Sequence, residues 1–110
     1  MKKRTEIADQ LLEQAANYNG VDRVLLLLES IYYVFDDVAY DEVKKLSYAY
    51  LSALQLKTAS ELEVQKKTLI KVYKALKYMQ RFGYLTHDQS IMLGLESLME
   101  QQGWEWKSEL

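Results

Sequence analysis

The chain contains one histidine, His87, which stands beside Asp88 at the predicted first turn of a helix. An imidazole next to a carboxylate can act as a general base or hold a metal ion. Either chemistry needs more than the pair. No serine in a nucleophile motif accompanies His87, there is no cysteine, and the pattern groups no further carboxylates around it as zinc would require. His87 therefore reads as a surface residue at a helix start. Asp36, Asp37, Asp41 and Glu42 form the other tempting cluster. They lack the glycine and the alternating ligand spacing of a calcium loop, and capping a helix whose N-terminus attracts negative charge accounts for them. No catalytic, cofactor-binding or metal-binding residue is predicted, and the chain does not read as an enzyme.

Recognition is the chemistry the remaining residues suit. Lys66, Lys67, Lys71, Lys74, Lys77 and Arg81 make one predicted helix strongly basic, and Lys67, Lys71 and Lys74 share a face of it. Such a stripe is either a solvated helix face or a patch that meets an acidic partner or a membrane surface. Of the nine tyrosines, most suit the half-buried seams between helices, because a tyrosine buries a ring and keeps a polar tip. Tyr48 and Tyr78 fall off the apolar stripes and are the ones expected at the surface. Both tryptophans, Trp104 and Trp106, stand in "GWEWKSEL" beyond the last predicted helix, just after Gly103. Two readings stand for them: a lid that closes the core, or a surface that recognises a partner, since exposed tryptophan is enriched at interface hot spots.

These residues need a scaffold, and apolar periodicity supplies one. Ile7, Ala8, Leu11, Leu12, Ala15 and Ala16 repeat at helical spacing over residues 5–19, with Thr5 as N-cap and Gly20 as the stop. Residues 22–36 are apolar nearly all round and too long for a strand, so they form a central helix. Val43, Leu46, Ala49, Tyr50, Ala53 and Leu54 mark a third helix over about 38–57. In "SELE", Ser60 and Glu63 match a capping box that opens a long helix to about 82, its stripe formed by Leu62, Leu69, Val72, Leu76 and Met79. Gly83 stops it, and Thr86 with Gln89 caps the last helix, which carries Ile91, Met92, Leu95, Leu98 and Met99 inward and ends near Gln102. The short connection makes the final two helices an antiparallel hairpin.

Composition agrees. A length of 110 residues fits a single helical-bundle domain over 1–110 with a short tail at 103–110. Hydrophobic residues at 49% and charged residues at 27% describe a folding chain. With no proline and four glycines, the many turns of a sandwich or barrel are out of reach. The fold class is all-α, an antiparallel helical bundle of four to five helices. The opening "MKKRTEIADQ" lacks the apolar core of a signal peptide, and "VLLLLESIYYVF" is far shorter than the ~20 residues a membrane span needs. A cytoplasmic protein is expected, with at most peripheral membrane contact. A net charge of −2 gives no general affinity for nucleic acid.

From Leu85, the stretch "LTHDQSIMLGLESLMEQQGWEW" resembles the C-terminal region of the immunity proteins for pediocin-like (class IIa) bacteriocins. The resemblance implies a four-helix antiparallel bundle, where the segments read singly give five. It implies that the protein shields a producing cell from its own bacteriocin, without catalysis. The implied partner is the membrane sugar permease that the bacteriocin targets, and the implied recognition region is the C-terminal half. It touches Thr86 as a helix start and Gly103, Trp104 and Trp106 as tail positions. With the residue-level reading, the partner-binding set becomes Trp104, Trp106, Gly103, Lys67, Lys71, Lys74 and Tyr78. The other reading is a helical adaptor or inhibitor, phage- or secretion-associated, that binds a macromolecule through the same surface.

Overall fold

A computed structural model of the chain describes residues 3–81 and 89–105. Among them there are six helices and no strand: α1 (Arg4–Ala15), α2 (Gly20–Tyr33), α3 (Asp37–Gln55), α4 (Ala59–Val64), α5 (Lys66–Arg81) and α6 (Gln89–Gln101). The fold is all-α, as the periodicity requires. The chain divides into two compact units, Met1–Tyr48 and Ala49–Leu110, with the boundary inside α3.

In the first unit, α1 and α2 form an antiparallel pair. Ala8, Leu11 and Ala15 on α1, and Val24, Leu27, Leu28 and Ile31 on α2, are buried at the i, i+3, i+4, i+7 spacing of one helix face. Two contacts fix the antiparallel register. The hydroxyl of the fully buried Ser30 donates to the Ala8 carbonyl at 3.3 Å, satisfying a polar group that would otherwise be costly to bury. At the far end, Arg4 donates to the carbonyls of Tyr33 (3.1 Å) and Tyr32 (3.0 Å), with its guanidinium 5.9 Å from both ring centroids. Asp36 starts α3 by accepting the Ala39 amide at 2.9 Å, and Glu42 pairs with Arg23 at 3.4 Å. The acidic cluster thus caps and pairs.

Several boundaries differ from expectation. Lys3, not Thr5, is the N-cap of α1, and it makes no side-chain cap bond. Gly20 opens α2 instead of closing α1. Its φ of +60 lets the chain reverse after the turn at Asn17 and Tyr18, whose amides donate to Gln14 and Ala15. On α3 the buried positions are Ala39, Val43, Ser47, Leu51 and Leu54, while Ala49 and Ala53 are exposed. Burying Leu51 removes far more apolar area from water than burying an alanine, so the helix turns that side inward.

In the second unit, the box that starts α4 is Thr58 with Glu61, two residues before the Ser60–Glu63 box. The Glu61 amide donates to Thr58 Oγ1 at 3.3 Å and the Thr58 amide to Glu61 Oε1 at 3.2 Å. The Thr58 amide first, and then the Thr58 hydroxyl donating to Glu61 Oε1 at 3.0 Å, hold the Glu61 carboxyl below its ordinary range. The helix expected to run unbroken to about 82 is interrupted at Gln65, which raises the count above five. Beyond the break every predicted stripe residue is buried: Leu69, Val72, Leu76 and Met79 on α5, and Ile91, Met92, Leu95, Leu98 and Met99 on α6. Where α3 faces α6, Gly94 provides the room: a Cβ there would sit 2.6 Å from Leu51 Cδ2. Gly83, Thr86 and His87 lie outside the described residues.

Candidate functional site

The candidate surface is built on the α5–α6 hairpin. One hydrogen bond joins α5 to α6, and two more tie the end of α6 and the residues after it to α4. Midway, the buried Tyr73 donates its hydroxyl to Glu96 Oε1 at 2.5 Å. Burial first, and then this bond and the nearby carboxylate charge, push the Tyr73 phenol well above its usual range. At the open end, Gln102 Nε2 donates to the Ala59 carbonyl and Trp104 Nε1 to Glu63 Oε2, both at 2.9 Å.

The chain reaches that position through the end of α6. Gly103 takes φ +73, the Gly103 amide donates to Glu100 at 3.0 Å, and the Trp104 amide donates to Met99 at 3.1 Å. This pair of bonds is the Schellman arrangement, which satisfies the last carbonyls of a helix and brings the residue after the glycine back toward the core. Only a residue without a Cβ takes this φ freely. Trp104 consequently lies 9% exposed, with Lys66 Nζ 5.7 Å from its ring centroid. Of the two readings of the tail, the lid holds for Trp104. It fastens α6 to α4 and to the first turn of α5, on both sides of the break at Gln65. Trp106 lies outside the described residues.

The exposed part of the site is therefore α5 itself. Lys67, Lys71 and Lys74 are exposed, and Tyr78, one turn further on, is 45% exposed. Their spacing of four, three and four residues holds all four within one narrow strip of the helix surface. Its length is about 16 Å at 1.5 Å rise per residue. Tyr48 on α3 is likewise exposed, as expected. Beside the strip runs a groove of about 440 Å³ lined by Lys66, Lys67, Ile70, Lys71 and Lys74. Among the described residues its lining holds four lysines and no carboxylate. Lys67 and Lys71 form no ion pair among the described residues. The groove can hold an anion. Among the described residues, no three His, Cys, Asp or Glu side chains come together.

The structure thus brings Lys67, Lys71, Lys74 and Tyr78 onto one strip and seats Trp104, after the Gly103 turn, against Glu63 and Lys66. Sequence reasoning counted Lys66 among the basic residues of this helix and missed Ile70; the i, i+4, i+8 spacing from Lys66 through Ile70 to Lys74 would have placed both beside the strip. It also missed the contacts that Glu63 and Gln102 make, whose partners are about forty residues away and leave no local mark. No helix among the described residues is long and apolar enough to cross a membrane. No protein-family model, curated protein or solved structure matches the chain.

Proposed function

We propose that this chain is a non-catalytic immunity protein of the kind its C-terminal region resembles, protecting a bacteriocin-producing cell by binding a macromolecular partner through the α5–α6 hairpin. The observation that carries the reading is the fastening of that hairpin. The residues behind the resemblance, Gly103 and Trp104, make the turn and the lid that hold α6 against α4 and α5. A rigid hairpin presents its outer residues without ordering them on binding, which lowers the entropic cost of association. In this reading Trp104 acts on the surface indirectly, and the contact residues are Tyr78, the lysines of α5 and Trp106. The partner is the bacteriocin's membrane sugar permease or a complex containing it, met from the cytoplasmic side.

The test is survival. Expressed in a bacterium sensitive to a pediocin-like bacteriocin, the chain should raise the dose needed to kill. The double substitution Tyr78→Ala and Trp106→Ala should abolish that protection while the helical circular dichroism is retained. Unchanged killing in the presence of the parent chain, across a panel of such bacteriocins, would refute the reading.

The exposed strip of lysines with Tyr78 at its end also suits a soluble acidic protein, which is the adaptor or inhibitor reading. Affinity capture separates the two: a permease subunit among the captured proteins supports immunity, and a soluble acidic protein supports the adaptor.

A further inference from the structure

The groove on α5 has a chemistry of its own. Among the described residues it offers four lysines, a buried isoleucine and no acidic group, within a chain whose net charge is −2. The positive potential is thus local, so it orients the molecule toward a negatively charged surface instead of drawing the whole chain to any polyanion. Three features decide what that surface is. The cations nearest the groove are all lysine, which is depleted at protein–protein interfaces, where arginine's planar fork binds carboxylates in pairs. Lysine binds phosphate as a compact point charge and can lay its apolar stem along a surface while its ammonium reaches the headgroups. Tyr78 extends the strip with a half-exposed ring that carries a polar tip, the side chain favoured where apolar and wet regions meet. The cations are strung along about 12 Å of helix, from Lys66 to Lys74, which suits a row of headgroups better than a single small anion.

We infer that the Lys67–Lys71–Lys74–Tyr78 face of α5 is a docking surface for anionic phospholipid headgroups, with a headgroup phosphate seated in the groove between Lys66, Lys67, Lys71 and Lys74. The attachment is peripheral and electrostatic. Each lysine brought near an anionic bilayer strengthens binding by about fivefold, so three together contribute about a hundredfold. Salt weakens the attachment, because the groove is open and its charges are screened.

Co-sedimentation of the full chain with vesicles tests this. Vesicles of phosphatidylcholine containing phosphatidylglycerol should bind the chain, and vesicles of phosphatidylcholine alone should not. The triple substitution Lys67→Gln, Lys71→Gln and Lys74→Gln should weaken binding by about a hundredfold. The triple substitution Lys3→Gln, Lys45→Gln and Lys57→Gln, which removes the same charge elsewhere, should weaken it far less. Glutamine keeps helix propensity, so both variants fold. Equal losses in the two triple variants, equal binding to both kinds of vesicle, or binding of soluble tripolyphosphate with no binding to vesicles would each overturn the inference. No bacteriocin enters the assay, so its outcome is independent of the protection experiment.

Discussion

Replacing Trp104 by phenylalanine isolates what the lid contributes. Phenylalanine keeps a ring in the site while removing the Nε1–H that donates to Glu63 at 2.9 Å and weakening the contact with Lys66 at 5.7 Å. A hydrogen bond to a carboxylate contributes about 1.5–3 kcal/mol, and the exposed position of Glu63 puts this one at or below the lower end, about 1 kcal/mol. The cation–π contact adds about 0.5 kcal/mol. The space left between a phenyl and an indole adds about 1 kcal/mol. Together Trp104→Phe should destabilise by about 2–3 kcal/mol, a fall in Tm of about 8–12 °C for a chain of this size. The sharper measurement is a double-mutant cycle with Glu63→Ala, followed by urea denaturation and circular dichroism. Because both substitutions remove the same bond, the double variant should be more stable than the summed losses imply by about 1 kcal/mol. Additivity within about 0.3 kcal/mol would refute the claim that Trp104 is fastened through Glu63.

Three further outcomes follow from the packing. Gly103→Ala forces a Cβ into φ +73 and should cost about 1–2 kcal/mol by chemical denaturation, although no neighbouring atom blocks it. Gly94→Leu should cost about 1–3 kcal/mol through collision with Leu51, and Leu51→Ala in the same chain should recover part of the loss. Stability should fall in alkali. Burial raises the Tyr50 phenol from its usual 10.0 to about 12, and its hydroxyl is buried without a hydrogen-bond partner among the described residues. A raised folded pKa keeps its contribution below pH 10.0 and loses it as the pH climbs toward 12. Tyr73 acts in the same direction. Replacing Tyr50 by phenylalanine should flatten part of that alkaline slope in denaturant titrations; an unchanged slope would contradict the assignment.

Much of the scaffold was legible because burial follows helical spacing. The stripes on α1, α5 and α6 repeat every three or four residues, and their central positions are buried, whereas on α2, apolar nearly all round, spacing alone did not mark the buried face. On α3 two stripes compete, one through Ala49 and Ala53 and one through Ser47 and Leu51, and spacing alone does not rank them. The break at Gln65 has no glycine or proline to announce it. The contacts from Gln102 and Trp104 fall on either side of it, and they come from residues about forty positions away. The site was legible in the same proportion. The lysine strip is a local pattern on one helix, whereas the burial of Trp104 depends on the Gly103 turn together with a distant glutamate. Sequence left the tail's two readings open because each is a statement about tertiary contact.

The stretch "TASELE" holds two overlapping capping boxes, and the chain uses only the first. Using the second would place the Glu63 carboxylate on the backbone of Ser60, away from the indole of Trp104. Glu63 can serve one of these purposes at a time. A helix start drawn from neighbouring residues therefore competes with a fastening drawn from the far end of the chain, and the position of one reports the state of the other. Pulling Trp104 off its seat should free Glu63 for the backbone of Ser60 and favour a start of α4 two residues later. Amide exchange at Glu61, whose amide depends on the Thr58 cap, followed in the parent chain and in Trp104→Phe, reads that exchange of partners: its protection should fall when the indole is gone.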